Sequence, residues 1–242
     1  MKLRFFGDSW CWCWAFPLPL ADTILSKRSH DFGVSLPLLS WYLTALDIES
    51  EILGNPGNPM THVRDVVINA TNNEGVDYNI LFVSSPYRRQ SVETLPVDDY
   101  ENFIAQWNDA LIYSLRDISR WAEEHNQVFF IVGGQTTITQ ELFDKVEAGK
   151  NIHLLSECLV SDFTGRTEPF GMFKLADFTK SVNSRFDPKL VDHIYDDINQ
   201  YASSIEKSIV TWPDSAHLNP TGQFMLINLI LRKIEELEGE KE

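Results

Sequence analysis

Ser9 closes a Gly7-Asp8-Ser9 run directly behind an apolar stretch, and Asp214-Ser215-Ala216-His217 stands near the other end of the chain. Together they provide a hydroxyl, a carboxylate and an imidazole in the order Ser, Asp, His. A serine hydroxyl scarcely ionises near neutral pH. It attacks a carbonyl carbon usefully only when an imidazole takes its proton and a carboxylate holds that imidazole. An Asp placed three residues ahead of a His, across a tight loop, can reach the ring nitrogen that faces away from the serine, which fixes the tautomer and stabilises the imidazolium. Ser9 is therefore the candidate nucleophile, His217 the candidate base and Asp214 the candidate orienting acid. Asp8, whose side chain leaves the backbone in a different direction from its neighbour's, reads as a turn residue bonding nearby backbone. Cys11 as a rival nucleophile would need a histidine of its own. His30, His62, His125, His153 and His193 share no spacing with acids that would build a metal site, so no metal is expected.

These groups act together only if the fold brings the two chain ends to one place. Lys2 to Phe6 reads as a short buried strand that stops at a sharp Gly-Asp-Ser turn. Leu36 to Leu46 has helical apolar spacing, with Ser35 as its cap and Pro37 in its first turn. Glu51 to Gly57 reads as a brief strand running into a Gly-Asn-Pro-Gly turn, followed by a helix through Val63, Val66, Val67 and Ala70. Tyr78 to Val83 is a β-branched and aromatic strand bounded by Ser-Ser-Pro. Val97 to His125 is the longest helical pattern, with Phe103, Trp107, Leu111, Leu115, Ile118 and Trp121 on one face. Gln127 to Val132 is a buried strand ending at Gly133-Gly134, and Ile152 to Leu155 a weaker one. The closing helix is the best marked, with Asn219 at its cap, Pro220 in the first helical position and Met225, Ile227, Ile230, Ile234 and Leu237 on one face. His217 then lies in the loop just ahead of a rigid anchor.

Strands alternating with helices imply a parallel sheet covered on both faces, with right-handed crossovers. Such sheets hold ligands beyond the carboxyl ends of their strands, and Ser9, Gly57 and Ser84 each fall just past one. Gly133-Gly134-Gln135-Thr136 lacks the Lys and the spacing of a phosphate loop and reads as a strand-to-helix turn. The Phe-rich stretch from Thr164 to Lys189 reads as a lid, a partner surface or one more helix on the sheet.

Composition narrows the function classes. A chain of 242 residues, 43% hydrophobic, can bury one large core, and no linker, repeat or low-complexity segment divides it, so residues 1–242 are expected to form a single domain. A formal charge of −15 repels phosphate backbones and anionic lipid surfaces, so neither nucleic acid nor membrane is expected as a partner. No apolar run approaches the ~18 residues of a membrane span, and the opening residues reach an acid too soon for a signal peptide. A cytoplasmic protein, or one within a larger assembly, is expected. With three cysteines, two of them in a Cys11-x-Cys13 pair too close to bridge without strain, free thiols in a reducing compartment are the simplest reading.

The blocks Phe5-Phe6-Gly7-Asp8-Ser9 and Asp214-Ser215-Ala216-His217-Leu218-Asn219-Pro220-Thr221-Gly222 resemble those of the SGNH hydrolases, the GDSL esterase and lipase family, and their order and spacing cover nearly the whole chain. The resemblance implies an α/β three-layer sandwich with a mostly parallel five-stranded sheet of flavodoxin-like architecture. It also implies a serine esterase needing no cofactor, with Ser9, Asp214 and His217 as its triad. The substrate would be a small or carbohydrate-linked acyl ester, and assembly with other proteins stays open. In this family a Gly after the second strand and an Asn after the third help to bind the oxyanion. Gly57 fits the first role, with Gly54 as the competing assignment. The third block departs from the pattern: Phe82-Val83-Ser84-Ser85-Pro86-Tyr87-Arg88-Arg89 carries no Asn at that turn. Ser84 or Ser85 would then substitute through a hydroxyl, or Arg88 through its charge. Loss of one such donor costs about 10²–10³-fold in rate. Trp10, in the Trp10-Cys11-Trp12-Cys13-Trp14 run, together with Asn58 and Arg88, are the substrate-binding candidates, the aromatic rings suiting a sugar or an acyl chain. The alternative is a weakly active or inactive scaffold of the same fold, for example a component of a virus particle.

Overall fold

The structure, a computed structural model, describes residues 1–7, 43–44, 46–54, 58–70, 75–84, 100–134, 137–159, 162 and 220–240. Its elements are β1 (Lys2–Phe6), β2 (Glu49–Ile52), α1 (Met60–Ile68), β3 (Tyr78–Phe82), α2 (Tyr100–Glu124), β4 (Phe129–Val132), α3 (Gln140–Asp144), β5 (Ile152–Ser156) and α4 (Pro220–Gly239). The strands form one sheet in the order β2-β1-β3-β4-β5, and every neighbouring pair is parallel.

Parallel strands covered on both faces lose the polar alternation of half-exposed ones. That is why Phe5-Phe6, Ile80-Leu81-Phe82 and Phe129-Phe130-Ile131-Val132 read as unbroken apolar runs, and all of these residues are buried. Their pleat still sorts them. Phe6, Leu81, Phe129 and Ile131 face a core shared with Met60, Val63 and Val67 of α1 and with Trp107, Leu111, Leu115 and Ile118 of α2. Leu3, Phe5, Ile80, Phe82, Phe130 and Val132 face the other way, onto Leu226, Ile227, Ile230 and Ile234 of α4. Helices on both sides of a five-stranded sheet make the three-layer α/β sandwich expected from the sequence, in the flavodoxin-like strand order.

Strand β2 departs from its predicted span. It covers Glu49 to Ile52, starting two residues ahead of the brief strand expected from Glu51, because β1 sets its register: Lys2 stands opposite Glu49 and Arg4 opposite Glu51. Both pairs are ionic, Lys2 Nζ to Glu49 at 3.1 Å and Arg4 Nε to Glu51 at 2.9 Å. An edge strand held by cross-strand charge pairs has no apolar periodicity to read. Most of the predicted Leu36–Leu46 helix lies outside the described residues. Its end is described: the Leu46 and Asp47 amides donate to Leu43 and Thr44, and Asp47 takes a left-handed φ of 59°.

The direction of α4 matters most for function. Tyr78, the first residue of β3, donates its hydroxyl to Glu238 near the end of α4 at 3.2 Å. A helix of this length spans about 30 Å, more than the strands beneath it. Packed along the sheet with its last turn at the amino ends of the strands, α4 begins at their carboxyl ends.

Candidate active site

The exits of β1 and β3 meet at the carboxyl edge of the sheet. Strand β2 lies on one side of β1, while β3 and the later strands lie on the other, the kind of reversal at which open α/β sheets bind ligands. At the end of β1, Gly7 has φ 146° and packs so closely on β3 that a Cβ there would lie 2.8 Å from Phe82 Cβ. A side chain would meet both a strained backbone and a clash, so glycine brings the exit of β1 against the exit of β3. Asp8 and Ser9 follow directly in the sequence.

At the end of β3, Ser84 is fully buried, and its hydroxyl donates to the Asn58 carbonyl at 2.5 Å. This bond ties the exit of β3 to the residue just ahead of α1. A serine hydroxyl has one proton to give, and here it goes to the Asn58 backbone. Asn58 itself is 5% exposed, and its side-chain nitrogen has no hydrogen-bond partner among the described residues. Pro59 caps α1 without any side-chain bond, and no acid stands in the first turn of that helix. Its amino end therefore offers an uncompensated partial positive charge.

The exits of β4 and β5 are packed on one another. A Cβ on Gly133 would overlap the Glu157 carbonyl oxygen, the Gly133 amide donates to Ser156 at 2.8 Å, and the Cys158 thiol contacts the Gly134 carbonyl at 3.7 Å. Cys158 is buried and its thiol is free of any disulfide. Among the described residues, backbone contacts close this half of the edge.

Of the residues singled out in the sequence, Asn58 and Ser84 are brought together at this edge. Ser9, Trp10, Gly57, Ser85, Arg88, Asp214 and His217 lie outside the described residues, as does Asn219. What sequence reasoning missed is the bond between Ser84 and Asn58. Nothing local signals a contact between residues 26 apart, one of them contributing only its backbone.

No family model and no curated protein matches the chain. Solved structures do resemble it. They include the acetyl xylan esterase AlAXEase (12% identity, 97% of this chain and 100% of that one, TM-score 0.45). The lipase/acylhydrolase from Enterococcus faecalis is similar at 13% identity over 97% of this chain and 95% of that one, with a TM-score of 0.40. AlinE4, an SGNH-hydrolase family esterase, is similar at 10% identity over 86% of this chain and 97% of that one, with a TM-score of 0.36. In its own geometry the chain is a doubly wound α/β protein whose strand order reverses between β1 and β3.

Proposed function

We propose that this protein is a serine hydrolase that cleaves a small or carbohydrate-linked acyl ester through an acyl-enzyme. The observation that carries the reading is the orientation of α4. Gly7 ends β1 at the carboxyl edge, two residues before Ser9, and Pro220 begins α4 on the same edge, three residues after His217. The described residues next to each block thus lie at one edge of the sheet, which supports a meeting of nucleophile and base although more than two hundred positions separate them in sequence.

In this reading His217 takes the Ser9 proton as the Ser9 oxygen bonds to the acyl carbon. The tetrahedral intermediate then expels the alcohol, which leaves with that proton from His217. Water enters, gives a proton to His217 and attacks the acyl carbon. The acid departs as Ser9 recovers its proton. Asp214 holds the imidazole throughout. Substrate preference for neutral esters fits the strongly acidic chain, which would repel phosphate-bearing ones.

A panel of nitrophenyl esters of increasing acyl length, extended to acetylated sugars, tests the proposal. Wild type is expected to release nitrophenol with an initial burst on at least one short ester, and Ser9→Ala and His217→Ala to lose it while keeping the wild-type fold. Failure of the folded wild type on every ester and acetylated sugar contradicts the reading and favours the scaffold alternative.

A further inference from the structure

We infer that the side-chain amide of Asn58 donates a hydrogen bond to the acyl oxygen as it becomes negative, filling the place of the donor that the turn after β3 lacks. The inference rests on the esterase reading and names a donor for that same site. Its first ground is the state of the amide. Asn58 Nδ2 is buried and has no partner among the described residues, and a buried donor left unpaired is a standing loss to the fold. Folded proteins retain such groups where a ligand completes them.

The second ground is location. Asn79 Oδ1 and Thr137 Oγ1 are also buried without partners among the described residues, but Asn79 lies in the amino half of β3 and Thr137 beyond β4. Asn58 sits at the β1/β3 reversal, one hydrogen bond from Ser84. The third ground is rigidity. A donor stabilises a developing charge well only when it is held before the reaction begins. The Ser84 hydroxyl fixes the Asn58 carbonyl, and Pro59 follows with a restricted φ. The uncapped amino end of α1, which begins two residues later, adds a field of the same sign. Ser84 then acts as a positioning residue: its proton is spent on the Asn58 backbone, and the amide carries out the contact.

The test measures kcat, KM and melting temperature for wild type, Asn58→Ala and Asn58→Asp on whichever ester wild type cleaves best. Asn58→Asp keeps the shape and removes the donor. Both variants are expected to lose about 10²–10³-fold in kcat with KM changed by less than about threefold, as for other single oxyanion donors. Asn58→Ala is expected to melt no lower than wild type, because it deletes an unpaired buried group. A kcat within about threefold of wild type in either variant overturns the inference while leaving the esterase reading intact. So does a clearly lowered melting temperature in Asn58→Ala, which would mean that the amide is satisfied within the fold. A folded wild type that cleaves no ester removes the esterase reading and this inference with it, a result distinct from the other two.

Discussion

Replacing Ser84 by Ala removes one oxygen from a fully buried position and separates two roles that a serine at this turn can play. The hydroxyl donates at 2.5 Å to the Asn58 carbonyl, so its loss leaves a buried acceptor without that partner. An unsatisfied buried backbone group costs about 1–3 kcal/mol. For a chain of this size each kcal/mol moves the melting temperature by about 2–4 °C, so a fall of roughly 2–12 °C is expected. Urea unfolding followed by far-ultraviolet circular dichroism is the assay, and the midpoint is expected to fall with the slope unchanged. Because Asn58 contributes its backbone, the stability effects of Ser84→Ala and Asn58→Ala are expected to add in the double variant. Their effects on kcat are expected to be less than additive, since loosening the loop matters little once the amide is gone. Stability within about 0.5 kcal/mol of wild type would refute the strut, the scatter usual for substitutions that touch nothing. A kcat loss of about 10²–10³-fold without any loss of stability would instead make Ser84 itself the oxyanion donor.

Other substitutions probe the frame around the site. Gly7→Ala places a Cβ against Phe82 at a positive φ, for which backbone strain alone costs about 1–3 kcal/mol, so both the unfolding midpoint and ester turnover are expected to fall. Unchanged stability there would contradict the close packing of β1 on β3. Glu51→Gln removes the carboxylate opposite the buried Arg4 and is expected to cost about 1–3 kcal/mol without altering kcat, read by urea unfolding and ester assay. His153, beside Phe130, is held below the ordinary histidine range by burial and secondarily by Lys233, with Glu240 opposing. The unfolded chain then accepts a proton that the folded one resists, so this contribution is full above the unfolded histidine range and is lost as pH falls through the depressed folded value. His153→Gln is expected to flatten the decline in unfolding midpoint between about pH 7 and about pH 5, and an unaltered slope would count against it.

Much of this architecture was legible in the chain because burial on both faces writes itself into composition. The runs at Phe5-Phe6, Ile80-Phe82 and Phe129-Val132 announced strands, and Trp107 through Trp121 announced a helix, since each pattern reports a face that must leave water. Strand β2 was less legible: Glu49, Ser50 and Glu51 join the sheet through charge pairs with β1, and the start of the strand follows from its partner's register rather than its own residues. In the sequence Ser84 reads as a hydroxyl donor and Asn58, separately, as a substrate contact. Their division of labour depends on a side-chain-to-backbone bond that no local pattern encodes. Likewise Pro220 and the apolar spacing behind it mark a helix start, but the edge of the sheet that start occupies follows from a tertiary contact, the Tyr78–Glu238 bond.

The convergence of the chain ends is tested most directly by treating the folded protein with a fluorophosphonate and mapping the adduct by peptide mass spectrometry. The account expects a single adduct on the peptide containing Ser9, absent from Ser9→Ala and formed at least about 10³-fold more slowly in His217→Ala. Absence of any adduct on a folded wild type, or labelling of Ser9 at the same rate without His217, would contradict it.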